Sequence, residues 1–454
     1  MSLFTPQALN WLSKVLEERF GYKFILMHES QGLKLILRGS EQEGSIIFPM
    51  LESAFHESRS DFPCAQWDAE AEGLQSILNK PLPMPCVDEL PQPLIEIKQD
   101  HAVINYDILG LTYWMLNRIE EIGRTDLDRH QRFPAVNSHA YKHNYLERPI
   151  VDEWLYILGQ VMQRVWSELE LKQHEYSMKV SHDVDAPSRY GFRSAKAMLR
   201  GMLGDLLIRK DFKSVLIAPW LRLTTKNKIH YKDPFNTFNW IMDQSDKVGL
   251  TSAFYFICGR TDLNKDADYE IEHPAIRKLM KNMHRRGHEI GLHPSYNSYL
   301  NPEDILNESV RLKDVMKKEG ISQENIGGRM HYLRWSHPQT LQSWNDAGMK
   351  YDSTLGYADR PGFRCGTCFE YPAFNTVSQE LLSIRIRPLV VMECSVISEE
   401  YLGLGISSEA TDKFLYFKSI CKKNRGVFTL LWHNSSLVSS AEKSMYTKIV
   451  LHQD

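Results

Sequence analysis

Residues 176–190 read YSMKVSHDVDAPSRY. The segment begins as a buried strand and ends in a histidine and two aspartates. Side chains alternate along a strand, so Ser181, Asp183 and Asp185 share one face while His182 and Val184 share the other. Two carboxylates on one face raise each other's pKa and are costly to bury without a cation between them. The stretch therefore predicts a site at a strand's carboxyl end, where a positive side chain or a bound metal ion accompanies the aspartates.

Outward from this stretch the same pattern repeats. TSAFYFICGR, HEIGLHPS, MKYDSTLGY and VFTLLWHNSS read as strands, with amphipathic helices such as PEDILNESVRLKDVMKKEG between them. Near-continuous apolar strands spaced by helices predict a parallel sheet or barrel with helices outside. In such folds chemistry collects at the carboxyl ends of the strands. Here those ends carry the right residues: His293 closes GHEIGLH, GGRMHYLRW offers Arg329, His331 and Arg334, and LLWHNSS delivers His433.

Imidazole and carboxylate are the natural ligands for zinc or a similar divalent ion. A hydrolytic metal site further needs an open position for water, a base and an acid. One aspartate as ligand, the other as base, one histidine as ligand and a distant one as acid complete that set, and Arg329 would stand beside the base.

The ordered set HDVD, GHEIGLH, an arginine motif and a strand ending in Leu-x-His resembles the polysaccharide deacetylase family, of the carbohydrate esterase 4 or NodB-homology kind. The resemblance covers residues 176 to about 436. It implies an α/β fold: a distorted (β/α) barrel over 171–454, preceded by a smaller α+β domain over 1–170 like that of a branch linked to lipopolysaccharide (O-antigen) or capsule biosynthesis. It also implies metal-dependent removal of an acetyl group from an N-acetylated sugar.

Carried over by position, Asp183 matches the family's base, Asp185 its metal-binding aspartate, Arg329 the arginine beside the base, and His433 the acid. His293 matches the first histidine of the His-x-x-x-His metal motif, but the second position is Asn297. His331 is the candidate replacement, since RMHY stands where the family has Arg-x-Pro-Tyr. Asn297 remains the other. Tyr332, Arg334, Arg364 and Trp432 are expected to contact substrate, Arg364 by meeting an anionic part of it. Aromatic residues beside a barrel mouth are equally ordinary core.

The first third reads differently. MSLFTPQALNWLSKVLEERFGYKF predicts an amphipathic helix; KFILMHES and LKLILRG flank QG, and GSIIFPML completes a small antiparallel sheet. The proline-dense KPLPMPCVDELPQP (80–93) predicts an extended connector. Residues 107–123 predict a helix capped by Asp107, and a second helix opens at Pro149 and runs to about residue 171.

The chain has 454 residues, with 54 lysines and arginines against 57 acidic residues and a formal charge of -3. No global field attracts nucleic acid or anionic lipid, so ligands must be held locally. The amino terminus lacks the basic and apolar regions of a secretory leader, and no run of eighteen uncharged apolar residues occurs. The seven cysteines are scattered, and CGTC (365–368) has no second pair, which favours packing over zinc or redox chemistry. These features predict a cytoplasmic protein, in which the acetylated sugar that the resemblance implies would be nucleotide-linked or lipid-linked. A sugar-binding pseudoenzyme and a hydrolase of another C–N amide bond are the alternatives.

Overall fold

The structure, a computed structural model, describes residues 3–30, 32–39, 44–207 and 210–452. The first helix, Pro6–Phe20, starts at Thr5, whose hydroxyl accepts the Ala8 amide at 3.1 Å, and stops at Gly21, where φ of 84° suits glycine. β1 (Phe24–Glu29), β2 (Gly32–Leu37) and β3 (Ser45–Phe48) form the antiparallel meander expected from the alternating residues. Gln31 of the expected QG turn lies outside the described residues.

The proline-dense stretch is more than a connector. Within it β5 (Leu82–Pro85) pairs antiparallel with β4 (Cys64–Trp67). A two-stranded ribbon has only edges, so the missing amides of Pro83 and Pro85 cost no ladder bond in a sheet interior. β6 (Ile95–Ile97) and β7 (His101–Ile104) then complete the first sheet in the order β1-β2-β3-β7-β6.

Both predicted helices form and both are shorter than expected. The first spans Ile108–Leu116, with the Asp107 carboxylate accepting the Gly110 amide at 2.7 Å. It ends because Arg118 turns left-handed (φ 51°) and buries its guanidinium against Glu120 at 3.0 Å and Glu121 at 2.9 Å. The second spans Ile150–Val165 and is buried on most of its surface. Trp154 stacks on Trp67, while Asp152 accepts the Cys368 amide at 2.8 Å and the Thr367 hydroxyl at 2.7 Å. This helix therefore joins the two parts of the molecule, and a single apolar core runs through both.

In the second part, β8 (Ser177–Val184), β9 (Ser252–Ile257) and β10 (Glu289–His293) are parallel. β11 (Tyr351–Asp352), β12 (Tyr371–Asn375) and β13 (Glu380–Ile386) form a smaller sheet. β14 (Val391–Met392) and β15 (Val427–Leu431) complete the central sheet in the order β10-β9-β8-β15-β14, parallel throughout. Gly328 bridges Leu292 to Asp352 and so links β10 to β11. A Cβ there would lie 1.8 Å from the Leu292 carbonyl oxygen, so only glycine permits the approach.

The wall thus curves like a barrel but does not close. Among the described residues no ladder joins β13 to β14. Pro388 has no amide to donate, and the amides of Arg387 and Leu389 turn back to the carbonyls of Asp352 and Leu355. The expected barrel is an open one.

Candidate metal and catalytic site

Parallel register brings the strand ends together. Asp183 lies level with Tyr255 of β9, His293 with Ile257, and Ser181 with Leu431 just before His433. Asp185, one residue past β8, places Oδ1 3.3 Å from His293 Nε2 and 3.8 Å from His331 Nε2. Ligand atoms of these three residues all lie within 4.8 Å of one another. A tetrahedral ion with bonds of about 2.0–2.1 Å spaces its donors by roughly 3.4 Å, so the set fits one divalent ion.

The polar bookkeeping agrees with that fit. His293 Nε2 and Asp185 Oδ1 are buried with no hydrogen-bond partner, a costly state that an ion would relieve. The far side of each ring is fixed: His293 Nδ1 donates to the Arg329 carbonyl at 2.6 Å and His331 Nδ1 to Asp266 at 3.0 Å. Such contacts hold each Nε2 toward the centre. Asp266 is itself anchored by the amides of Tyr296, Thr261 and Asp262 at 2.7–2.8 Å.

Burial alone would raise the Asp185 pKa, but the charge of His331, with the His293 and His433 rings beside it, holds it well below the usual carboxylate range. Burial would likewise lower His331, yet Asp185 and then Asp266 outweigh it and push the imidazole up to about 9. In the ion-free chain a proton on His331 supplies the positive charge between the acids.

Asp183 is buried and paired with Arg329, Oδ1 to Nη1 at 2.9 Å, while its Oδ2 lies 3.7 Å from His293 Nε2. The guanidinium is held by Ser181 Oγ and the Ser353 carbonyl, both at 2.9 Å. His433 approaches from another strand, with Nε2 3.6 Å from Asp185 Oδ2. Its Nδ1 donates to Glu393 at 2.6 Å. Burial would lower the His433 pKa, but the Glu393 carboxylate, with Cys394 and Asp185 beside it, lifts it well above the usual histidine value. Glu393, Cys394 and His433 also lie within ligand distance of one another, but Nδ1 is engaged by Glu393.

Other expected residues stand elsewhere. Asn297 is turned away from the cluster: its Nδ2 donates to the Thr261 carbonyl and its Oδ1 accepts from Arg334, both at 3.1 Å. Trp432 is fully buried against Phe414 and Tyr446, on the face of the chain opposite His433. Arg364 is buried between the two parts of the molecule, on Glu121 at 3.0 Å and the Gly356 carbonyl at 2.9 Å, and meets no cleft. Arg334 is sandwiched between the rings of Tyr296 and Tyr299 and braces the loop from inside. Tyr332 alone of the four stays half-buried beside the cluster, its ring 4.7 Å from that of His331.

Arg364→Ala should therefore act on stability. It leaves Glu121 buried with Arg118 as its remaining partner, and the expected loss is about 3 kcal/mol, the low end for a broken buried pair. Denaturant unfolding measures it, and bound metal should be unchanged in the folded variant.

Several contributors escape a reading of the sequence. Glu393 follows the apolar run PLVVM, so it had the same signal as the other strand ends. Asp266 lies in the acidic loop DLNKDADYE, which marks no one carboxylate. His130 and Arg132 come from the first part of the chain, where His130 Nδ1 meets the Tyr296 hydroxyl at 3.0 Å and Arg132 donates to the Tyr332 carbonyl at 2.9 Å. A cavity of about 670 Å³ lies at the opposite, amino-terminal ends of the strands, around Tyr176–Ser181 and Tyr255, away from these groups.

A family of unknown function (DUF7033) matches residues 4–167. No curated protein matches the chain. Among solved structures, a candidate polysaccharide deacetylase from Mycobacterium smegmatis is similar at 13% identity and a TM-score of 0.41, over 62% of this chain and 84% of that one. The PuuE allantoinase is similar at 12% identity and a TM-score of 0.38, over 61% and 84%. A second candidate polysaccharide deacetylase, from Pseudomonas aeruginosa PAO1, stands at 11% and 0.36, over 61% and 84%. At these values the likeness carries no residue-by-residue correspondence.

Proposed function

We propose that the chain is a metal-dependent hydrolase of a C–N amide bond whose substrate is an N-acetylated sugar. The observation that supports this is the gathering of three kinds of group at one point: a ligand set (Asp185, His293, His331), a carboxylate paired with Arg329 (Asp183), and a protonated imidazole held by a carboxylate (His433 on Glu393). A divalent ion in that ligand set, zinc by the nature of its donors, would polarise the acetyl oxygen and acidify water.

The chain's own groups do the rest. Asp183, oriented by Arg329, accepts the proton of the attacking water. His433, charged through Glu393, delivers a proton to the departing nitrogen, so that acetate and a free amine leave. Tyr332 on the rim offers a ring to the sugar. The order of motifs supports a sugar substrate; a nucleotide-linked or lipid-linked form of it, in lipopolysaccharide or capsule biosynthesis in the cytoplasm, is the finer part of the proposal. A pure sugar binder would have no use for the charged His433–Glu393 pair.

Acetate release is the test, with zinc-loaded protein offered chitin oligosaccharides and UDP-N-acetylglucosamine. Release that stops on chelation and returns with added zinc is expected. A loaded chain that binds these sugars and frees no acetate would sink the hydrolase in favour of the binder.

A further inference from the structure

Between β8 and β9 the chain inserts a helical hairpin, Ala195–Leu207 and Phe212–Thr224, that contributes no group to the site. Its inner faces pack around Tyr190 in a cluster of their own, separate from the main core. Arg189, from the segment before the first helix, ties the end of that helix to the start of the second through Asp205 and Asp211. The hairpin is thus built as a unit.

Its outer faces are apolar. Leu199, Leu203 and Leu207 follow one another at helical spacing on the first helix and are 58%, 57% and 71% exposed. Phe212, Leu216 and Trp220 do the same on the second, at 59%, 80% and 59%. Single exposed apolar side chains are ordinary, but two regular stripes on one hairpin mark an interaction surface.

Charge identifies what covers it. Residues 193–233 hold ten lysines and arginines against three aspartates, a local charge of +7 in a chain of net charge -3. All three aspartates turn inward: Asp205 to Arg189 and the Tyr190 hydroxyl, Asp211 to the second helix's amino terminus, Asp233 to Ser188. Lys196, Arg200, Lys210, Lys213, Lys226 and Lys228 are exposed.

A protein partner's interface core depletes lysine, whereas apolar stripes with tryptophan among lysines suit the boundary of a bilayer. Each helix has 13 residues and is about 20 Å long, too short for the roughly 30 Å hydrocarbon layer. It would lie in the surface rather than cross it.

We propose that this hairpin docks the protein on the surface of an anionic lipid bilayer, with its apolar stripes at the acyl boundary and its lysines and arginines on lipid phosphates. The placement bears on the site. The Asn434 side chain, next to His433, donates to the carbonyls of Ala186 at 3.0 Å and Phe235 at 2.8 Å, the two ends of the insertion. Docking would hold the cleft beside the membrane, where a lipid-borne substrate is presented. The docking does not rest on the hydrolase reading, because it is measured without turnover.

Flotation of the full chain with vesicles of phosphatidylcholine, with and without phosphatidylglycerol, tests it. Binding only to the vesicles with phosphatidylglycerol, weakened by salt, is expected. The doubly substituted Leu216→Glu, Trp220→Glu chain should lose it. Lys196→Ala, Arg200→Ala and Lys213→Ala together should weaken it by about fivefold per cation. All five positions are exposed, and an unchanged near-ultraviolet circular dichroism spectrum verifies that the fold persists. A wild type that ignores phosphatidylglycerol, or binding that survives either set of substitutions, overturns the proposal. So does self-association that Leu216→Glu, Trp220→Glu abolishes without any vesicle binding, which would assign the stripes to a second copy of the chain.

Discussion

Replacing His331 or His293 with alanine should strip the chain of its divalent ion, whereas Asn297→Ala should leave the ion in place. The sequence leaves both in play, since Asn297 stands four residues after His293 where the resembled family has a histidine, and His331 stands where that family's arginine motif has proline. In the structure the Asn297 amide bonds Thr261 and Arg334, while His331 Nε2 comes within 3.8 Å of Asp185 Oδ1. With two ligands left of three, affinity should fall by more than the roughly 10–100-fold that loss of an outer hydrogen-bond partner costs. Asp266→Asn, which removes such a partner from His331, should fall inside that window. Elemental analysis after dialysis, followed by zinc titration, measures both. Because His331 holds its proton up to about 9 in the ion-free chain, binding must displace that proton. Affinity should therefore rise with pH up to about 9, by at most about tenfold per unit. An ion retained by His331→Ala and lost from Asn297→Ala would remove His331 from the ligand set.

The strand ends were legible because each announces itself twice, by an apolar run and by the polar residue that closes it. HDVD, GLH and LLWH all follow that rule, and parallel register then brings them together without further instruction. His331 follows no strand. It enters the site because Tyr332 and Leu333 both take left-handed backbone, φ 62° and 57°, and fold the chain back. Such geometry is unusual for bulky residues, and nothing in HYL announces it.

Nearness in sequence misled elsewhere. Trp432 precedes His433, and the alternation that separates Asp183 from His182 also sends that indole into the core. Arg364 finds its partner in Glu121, 243 positions away, which no local pattern encodes. Barrel closure depended on a two-residue β14 and on Pro388, both too short a signal to weigh against eight-residue β8. The docking hairpin was hidden by averaging, since a net charge of -3 over the whole chain conceals ten cations in one insertion.

His433→Gln and Asp183→Asn should each lower the rate of acetate release by about 10²–10⁴-fold, the range of a positioned acid or base, with the ion still bound. Neither residue belongs to the ligand set, so metal content separates this loss from that of His331→Ala. Glu393→Gln gives a sharper result, because it changes a pKa rather than removing a group. His433 can donate only while protonated, so activity is lost as pH rises through its folded-state pKa. The Glu393 charge is the leading cause that raises this value against burial. Removing the charge lowers it, and the basic limb of the pH–rate profile should move to lower pH. At low pH, where His433 is protonated in both chains, the variant's rate should approach that of the wild type. A basic limb that stays where it was would show that the proton reaches the leaving nitrogen from some other group, and Glu393 would then be only a brace for the loop after β15.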